Sequence, residues 1–403
     1  MTYKPTTRAV RAGIDTDPTH GAVVPPIYLS TNFNFEGLGG KRKYDYSRSG
    51  NPTRDQLGEA LASLEGGAGG VVTATGMGAI TLVLHALLSP GQLLLVPHDC
   101  YGGSWRLFNA LANKGLFELL TCDFTDVAGL AEAFARKPSL VWLETPSNPL
   151  LRLTDLEAVI GMAHRAGAAV AVDNTFLSPC LQRPIEFGAD VVIHSTTKYI
   201  NGHSDVVGGA VIAKDLPIHE QMTWWANCLG ITGAPFDSYL TMRGLRTMAA
   251  RVSVHQENTA ALVALLSEHE AVERVYYPGL PDHPGHSIAA RQQHGFGAML
   301  SFELRGGEEA VRALVDGIEL FTLAESLGGV ESLIAHPATM THAAMTDDAR
   351  ATAGISSSLV RVSVGIEDSE DLVADMRTAL DRAAAVGDQA GSRAFGKSLQ
   401  AAS

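Results

Sequence analysis

The chain has 403 residues, 46% of them hydrophobic, and a formal net charge of -13 at pH 7. This length and composition can supply the cores of two or three domains, whereas the negative charge argues against binding to nucleic acid or to anionic membranes, which need basic surfaces. The four cysteines form no CxxC pair, the first residues contain no apolar signal core, and no apolar run reaches transmembrane length. We therefore expect a soluble cytoplasmic protein without a disulfide framework. The 14 histidines show no spacing typical of metal ligands, so we expect no metal.

Residues 1–55 are polar, rich in Gly and Pro, and only weakly periodic. The segment 41–53, KRKYDYSRSGNPT, is compatible with a solvated loop or with an arm that reaches into a binding site. The second interpretation depends on Arg48, which can bind a phosphate group, and on Tyr46, which can add a hydroxyl group.

From residue 56 to residue 250, predicted helices alternate with short apolar strands. This alternation predicts an α/β domain with parallel strands joined by crossover helices and with functional groups at the carboxyl ends of the strands. The predicted helices are 56–65 and 80–88, and the predicted strands are 70–74, 93–96, 140–143, 168–172 and the run that starts at Val191.

Polar groups follow several of these predicted strands. The turn TGMGA at 75–79 precedes a helix, so its backbone N–H groups can bind an anion, although such a turn is more commonly structural. Asp173 either caps a helix or forms a turn, or its carboxylate pairs with a protonated ring nitrogen. Ser195, Thr197 and Lys198 follow the strand that begins at Val191; a lysine there is commonly solvated, but a sheltered one can lose its proton and condense with an aldehyde.

Together with Tyr101, these groups match pyridoxal 5′-phosphate. Lys198 would condense with the aldehyde, and Asp173 would pair with the ring nitrogen. The glycine turn and the hydroxyl groups would bind the phosphate, while an aromatic ring can stack on the cofactor. The glycine turn alone also suggests a nicotinamide-dependent dehydrogenase, but it lacks a full GxGxxG and leaves Lys198 without a role.

A second region covers residues 251–390. We predict helices at 251–268, 308–316 and 369–386, strands at 272–277, 296–303 and 358–364, and a loose tail at 391–403. Arg361 lies within an alternating strand pattern, where it is either a surface residue or an anchor for a substrate carboxylate.

Eight motifs occur in order over about residues 5–388: YSRSGNPT, TGMGA, DCYGG, ETPSNP, DNTF, HSTTKYINGHSDVVGG, LAESLGG and RVSVGIED. They resemble the Cys/Met-metabolism family of pyridoxal-phosphate-dependent enzymes. The resemblance implies fold type I, the aspartate aminotransferase-like α/β fold, with a mostly parallel central sheet and a smaller α+β C-terminal domain.

The resemblance also implies roles for the matching residues. Lys198 would carry the cofactor and transfer protons, Asp173 would keep the pyridine ring protonated, and Tyr101 would stack on the ring and take part in proton transfer. The implied cofactor-binding set also contains Thr175 and the phosphate ligands Gly76, Met77, Ser195 and Thr197.

Two more groups of residues receive implied roles. Tyr46 and Arg48 would reach the phosphate of a neighbouring subunit, which makes a dimer the smallest active unit and a homotetramer the usual assembly; Tyr46 would also contact substrate. The implied substrate-binding set further contains Arg361, Asn148 and Ser326 for the α-carboxylate, and Glu325 and Arg106 for chemistry at the γ-carbon.

Within the family, stretches such as HDCYGGSWRLFNAL and ESLIAHPATMTHAAM are most similar to enzymes that catalyse γ-replacement. The implied reaction joins L-cysteine to O-succinyl- or O-acetyl-L-homoserine and gives L-cystathionine in methionine biosynthesis. Ser49 stands where a second arginine is expected, which leaves the acyl group open.

Two alternatives remain. The stretches YYPGLPDHPGH and RVSVGIED are more similar to enzymes that cleave cystathionine to cysteine, 2-oxobutyrate and ammonia. The other alternative is a relative that binds the cofactor without turnover.

Overall fold

The structure, a computed structural model, describes residues 3–343 and 345–401, with side chains for all of these except 127 and 387–401. The chain divides into two compact units. The first unit contains the residues up to Thr145, together with Thr154–Ala250 and Gln292–His294; the second contains Pro146–Leu153, Arg251–Arg291 and the residues from Gly295 onward. Within the described residues, no helix combines the length and the apolar character needed to cross a membrane.

The first unit is built on a seven-stranded sheet. Its strands are β1 (Gly69–Thr73), β2 (Leu93–Pro97), β3 (Glu118–Cys122), β4 (Leu140–Glu144), β5 (Ala169–Asp173), β6 (Val191–His194) and β7 (Gly209–Ala213). The strand order is β1-β7-β6-β5-β4-β2-β3; β7 is antiparallel to both of its neighbours, and the other pairs are parallel. The predicted α/β fold with a mostly parallel central sheet is confirmed.

Helices connect these strands. They are α1 (Pro5–Val10), α2 (Pro52–Glu65), α3 (Gly76–Leu87), α4 (Gly102–Asn113), α5 (Val127–Ala135), α6 (Leu156–Arg165), α7 (Ser178–Leu181), α8 (Leu216–Leu229) and α9 (Pro235–Leu245). The start of α2 follows from local chemistry: the side chain of Asn51 accepts hydrogen bonds from the N–H groups of Thr53 and Arg54, and Pro52 occupies the first turn. The helix ends before Gly66, whose φ of 84° favours glycine.

The register of three neighbouring strands places acidic groups on one face of the sheet. Glu144, at the end of β4, pairs with Asp173 at the end of β5, and Asp173 pairs with Ile193 of β6. Because side chains alternate along a strand, both acids lie on the face where Trp142 and Ile193 pack with α3 and α4. His194, one residue after Ile193, points to the opposite face.

On that opposite face, the strand ends meet a buried polar network. His194 Nε2 lies 2.6 Å from Glu65 Oε1, and both side chains are 0% exposed. The side-chain amide of Asn174 donates to the same Glu65 oxygen at 2.9 Å and to the carbonyl of Gln182 at 2.7 Å. The network therefore joins the end of α2 to the ends of β5 and β6.

The second unit contains a five-stranded sheet with the order β10-β11-β12-β9-β8. Its strands are β8 (Val272–Tyr276), β9 (Met299–Leu304), β10 (Thr322–Leu323), β11 (Leu333–Ala335) and β12 (Leu359–Ser363). The helices that follow α9 are α10 (Met248–Glu268), α11 (His286–Gln292), α12 (Gly307–Val315), α13 (Asp347–Ala353) and α14 (Ser369–Ala401). Strands that are mostly antiparallel, covered by helices, agree with the predicted α+β region.

Two boundaries differ from the sequence-based expectation. The helix α14 continues to Ala401, so the predicted loose tail at 391–403 is helical as far as that residue; 402–403 lie outside the described residues. The segment contains helix-forming Ala, Arg, Lys, Leu and Gln and no proline, and these outweigh the unfavourable Gly391 and Gly396. Pro146–Leu153, predicted within the first domain, belongs to the second unit.

The buried network leads to a test of stability. Glu65→Ala leaves the buried His194 and Asn174 without their shared acceptor, so we expect the free energy of unfolding to fall by about 3–5 kcal/mol. Urea denaturation measures this loss. Glu65→Gln, which keeps one acceptor oxygen, should cost less.

Asp381→Ala is the matched control, since Asp381 pairs with His269 at 3.2 Å but is itself 70% exposed. An exposed partner of this kind contributes less than about 1 kcal/mol. Equal losses for Glu65→Ala and Asp381→Ala would contradict a structural role for the buried network.

Candidate active site

The first turn of α3 forms a surface suited to an anion. The hydroxyl oxygen of Thr75 accepts a hydrogen bond from the N–H of Gly78 at 2.8 Å, while the N–H groups of Gly76 and Met77 have no partner within the helix because they precede its first complete turn. A side-chain carbon at position 76 would lie 2.8 Å from the Cβ of Ser195. Glycine thus lets the helix start approach Ser195, and together they can hold a phosphate.

The loop after β6 supplies hydroxyl groups to the same place. The hydroxyl oxygen of Thr175 accepts a hydrogen bond from the N–H of Ser195 at 2.9 Å, which ties this loop to the end of β5. The hydroxyl of Thr197 accepts from the N–H of Gly208 at 3.0 Å. Ser195 and Thr197 are half-buried, so their positions are set by the fold while part of each stays accessible.

Lys198 lies on this loop and is half-buried. Its backbone N–H donates to the carbonyl of Ser195 at 3.2 Å, and its carbonyl accepts from the N–H of Gly202 at 2.8 Å. Two turns therefore fix the backbone of Lys198, three residues after Ser195.

Asp173 and Glu144 form a pair of carboxyl groups at the ends of β5 and β4. Burial and then the Asp173 carboxylate raise the pKa of Glu144 to about 8, against the lowering effect of N–H donors from Tyr101 and Trp142. Burial also raises the pKa of Asp173, while hydrogen bonds from Thr175 and the nearby His194 oppose this rise. Asp173 is only half-buried, so one side of its carboxyl group can receive a donor.

Tyr101 begins α4 and is anchored to the acidic pair through its backbone. Its N–H donates to Glu144 Oε2 at 2.7 Å. A side-chain carbon at Gly103 would lie 2.5 Å from the Tyr101 ring and 3.2 Å from the sulfur of Met77. The ring therefore lies over the first turn of α4 beside Met77, and with 41% of Tyr101 exposed it can stack on a bound ring.

The first-unit residues fit pyridoxal phosphate. The anion-binding start of α3 with Ser195 and Thr197 suits its phosphate, and the accessible side of Asp173 suits a protonated ring nitrogen. Among the predicted cofactor residues of this unit, all except Tyr46 and Arg48 thus lie at the same edge of one sheet.

A second set of predicted residues comes together in the second unit. Arg361, buried in β12, donates to Asn148 Oδ1 at 3.1 Å and to the carbonyl oxygen of Ser326 at 2.8 Å. His342 Nε2 lies 3.2 Å from the carbonyl oxygen of Asn148 and therefore donates to it. The bonds to Asn148 and Ser326 fix the guanidinium plane, and a guanidinium held in this way suits a carboxylate. Ser326 has a φ of 88°, an unusual backbone conformation for a residue other than glycine.

The other predicted residues lie at the surface. The Arg48 guanidinium lies 5.6 Å from the Tyr46 ring centroid, and its Nε donates to Asn227 at 2.9 Å. Tyr46, Arg48, Arg106 and Glu325 are all exposed, and no contact among the described residues establishes their predicted roles.

Sequence reasoning gave no role to three buried residues, Glu144, Glu65 and His194. Glu144 ends a strand just as Asp173 does, so its position was the signal that could have identified it. The pairing of Glu65 with His194 had no such signal, since the two residues are far apart in the sequence. No group of three or more His, Cys, Asp or Glu side chains in the described part of the chain is arranged to hold a metal ion.

Comparison with known proteins identifies the family. The model of the Cys/Met metabolism PLP-dependent enzymes, where PLP is pyridoxal 5′-phosphate, matches residues 6–381. Cystathionine gamma-synthase of Escherichia coli K12 is 57% identical over 376 residues, which cover 93% of this chain and 97% of that protein. Cystathionine gamma-lyase of Dictyostelium discoideum is 44% identical over 381 residues, which cover 94% and 98%.

A solved structure extends the match to the fold. Cystathionine gamma synthase from Xanthomonas oryzae pv. oryzae, crystallised in complex with cystathionine, is 67% identical, with a TM-score of 0.95 over 96% of this chain and 100% of that chain. The predicted fold type I is thereby confirmed. The chain belongs to the Cys/Met metabolism family of PLP-dependent enzymes, and its cofactor is pyridoxal 5′-phosphate.

Proposed function

We propose that the chain is a cystathionine γ-synthase, which joins L-cysteine to an O-acyl-L-homoserine and gives L-cystathionine and the free acid. The observation that carries this proposal is the similarity to γ-synthases over almost the whole chain, which exceeds the similarity to the γ-lyase. The acyl group is succinyl or acetyl.

In this proposal, the cofactor is held by the edge of the first sheet. Gly76, Met77, Ser195 and Thr197 bind its phosphate, and Tyr101 stacks on its ring. Asp173 accepts a hydrogen bond from the protonated ring nitrogen, and Thr175 orients Asp173 by donating its backbone N–H at 3.0 Å. Pyridoxal phosphate would supply the electron withdrawal that makes the protons on Cα and Cβ of the substrate removable, once the substrate amine has displaced the Lys198 amine from its aldehyde carbon.

Lys198 is the group that moves protons. It removes one proton from Cα and then one from Cβ, after which the Cγ–O bond breaks and the acyloxy group leaves as a carboxylate. The cysteine thiolate forms the new S–Cγ bond, and the two protons return to Cβ and Cα. Tyr101 assists this proton transfer. Atoms balance, because the ester oxygen leaves with its bonding electrons and the thiolate supplies the pair for the new bond.

The substrate is held by a separate anchor. Arg361 binds its α-carboxylate with two parallel hydrogen bonds, while Asn148 and Ser326 keep the guanidinium in place. We assign Glu325 and Arg106 to the γ-substituent, where Arg106 would pair with the ester's carboxylate. Ser49 donates its hydroxyl to Asp45 at 2.7 Å and supplies no positive charge for a succinyl group.

We further infer an assembly of several subunits in the cytoplasm. Tyr46 and Arg48 are exposed, and in this proposal they reach the phosphate site of a neighbouring subunit, so the active unit is a dimer and the assembly a homotetramer. All four cysteines are free thiols, which agrees with a reducing compartment.

The second candidate is cystathionine γ-lyase. Stretches such as YYPGLPDHPGH at 276–286 favour it, and a γ-lyase is among the relatives. A lyase would use Lys198, Asp173 and Arg361 in the same roles and would release cysteine instead of adding it.

Product analysis distinguishes the two candidates. Purified protein with added cofactor should form cystathionine from cysteine and O-succinyl- or O-acetylhomoserine faster than it consumes cystathionine alone. Chromatography of both mixtures measures this. The faster ester identifies the acyl group, whereas 2-oxobutyrate and ammonia from cystathionine, with little synthesis, would establish the lyase instead.

The anchor role of Arg361 predicts a defect in catalysis without a defect in cofactor binding. Arg361→Lys loses bidentate binding of the α-carboxylate, so we expect kcat/KM to fall about 30-fold or more, which corresponds to about 2 kcal/mol or more. Steady-state kinetics measures the fall, and the visible absorbance of the bound cofactor should not change.

Arg312→Lys is the matched control in the same unit, because Arg312 is 64% exposed and pairs with Glu308 on the surface of α12. Its kcat/KM should stay near that of the unchanged protein. Equal values of kcat/KM for Arg361→Lys and Arg312→Lys would contradict the role of Arg361 in binding the substrate.

The close approach of Gly76 to Ser195 predicts that Gly76→Val weakens cofactor binding. The added side chain would enter the space between α3 and Ser195, so we expect the Kd for pyridoxal phosphate to rise about tenfold or more. Gly161→Ala in α6 is the control, since its new carbon would meet only the end of Arg165 at 3.3 Å. Titration followed by visible absorbance measures both, and unchanged affinity in Gly76→Val would exclude this phosphate site.

A further inference from the structure

The carboxyl groups of Glu144 and Asp173 occupy neighbouring positions of the sheet. They are register partners at the ends of two parallel strands, so their side chains leave the same face, with the strands about 5 Å apart. Glu144 is 7% exposed. Two negative charges at such a separation, that of the buried Glu144 and that of the half-buried Asp173, repel each other strongly, because little water screens them.

The groups around Glu144 add to this repulsion. Asp99, in the loop after β2, is a third acid that acts on Glu144, while the neighbouring Cys100 is a buried thiol whose pKa is raised by burial and then by Glu144. The favourable groups are the N–H donors of Tyr101 and of Trp142, which lies 3.0 Å from Glu144 Oε1. On the other face of the sheet, His194 acts on Asp173 and favours its charge.

We propose that Glu144 and Asp173 share one proton before the cofactor binds, and that this proton is released when the protonated pyridine ring reaches Asp173. The O–H bond of the pair breaks and the proton passes to water, while the ring nitrogen keeps its own proton. One positive charge enters the site and one negative charge appears there, so the net charge of the site is unchanged. The charge of the Glu144–Asp173 pair therefore depends on whether the cofactor is bound.

Glu144 is also a positioning residue for the ring. Both of its oxygens accept N–H donors, and one of these donors is the backbone of Tyr101, whose ring is assigned to stack on the cofactor. The ionised form accepts these bonds more strongly than the neutral acid. Release of the proton therefore tightens the hold on Tyr101 when the cofactor is present.

The sign of the pH dependence follows from linkage. If binding releases a proton, cofactor affinity rises with pH while the pair is protonated, by up to tenfold per pH unit, and this contribution levels off above the pKa of Glu144, about 8. This inference rests on the cofactor residues assigned in the proposed function, and in particular on Asp173.

The test counts protons. Cofactor-free protein is titrated with pyridoxal phosphate by calorimetry in two buffers of different ionisation enthalpy that contain neither phosphate nor primary amines. At pH 7 the unchanged protein should release about one proton more than Glu144→Gln, and this excess should vanish above about pH 9. Protons from Lys198 and from the cofactor itself are common to both proteins and cancel in the difference.

Trp142→Phe is the matched control, because it removes a donor to Glu144 but keeps the carboxyl group, so the excess proton should remain. Equal proton release at pH 7 by the unchanged protein and Glu144→Gln would overturn the proposal. So would an excess that persists unchanged above pH 9.

A second measurement covers the case in which Glu144→Gln fails to fold or to bind. The fluorescence of Trp142, obtained as the difference between the unchanged protein and Trp142→Phe, should change near pH 8 without cofactor and stay constant from pH 7 to 9 with it. A transition that is absent, or the same in both states, would overturn the inference. A protein that releases the excess proton but makes no cystathionine would keep this inference and lose the proposed function.

Discussion

The register of β4, β5 and β6 is the constraint on which the site depends. Three parallel strands end at one edge, so Glu144, Asp173 and the loop that begins at Ser195 arrive together although they are distant in the sequence. A shift of one residue would move Asp173 to the opposite face of the sheet. The position of Asp173, which we propose to meet the ring nitrogen, is therefore set by the pairing of the strand backbones.

Buried polar groups on the opposite face of the sheet stabilise that register. Glu65, His194 and Asn174 form hydrogen bonds on the face away from the cofactor residues, where a mismatch would leave buried groups without partners. The network joins the ends of the two strands that carry Asp173 and the phosphate-binding loop. One face of the sheet thus carries the acids Glu144 and Asp173, and the opposite face carries the buried hydrogen bonds of Glu65, His194 and Asn174. These hydrogen bonds help to keep the strands in register.

The sequence predicted most elements of the first unit because buried parallel strands are short apolar runs, as at 168–172, where the strand is Ala169–Asp173. It also predicted cofactor-binding roles for Asp173 and Lys198 from their positions after such runs. It could not predict that β7 enters between β1 and β6, or that Glu144 lies beside Asp173, because strand order depends on contacts between distant segments. Only the family resemblance predicted that Arg361 and Asn148 belong to one site, since no local sequence pattern links residues so far apart.

Synthesis and cleavage of cystathionine place the same demands on most of these residues. Both reactions need a bound α-carboxylate, proton removal from Cα and Cβ, and loss of the γ-substituent, so the roles proposed for Arg361, Lys198 and Asp173 suit either one. The reactions diverge only where a second amino acid must reach the γ-carbon before the bound fragment is lost. Selectivity must therefore reside in groups that admit or exclude that partner, and not in the residues that the strand register positions. The exposed Glu325 and Arg106, which we propose to contact the γ-substituent, are candidates for such groups.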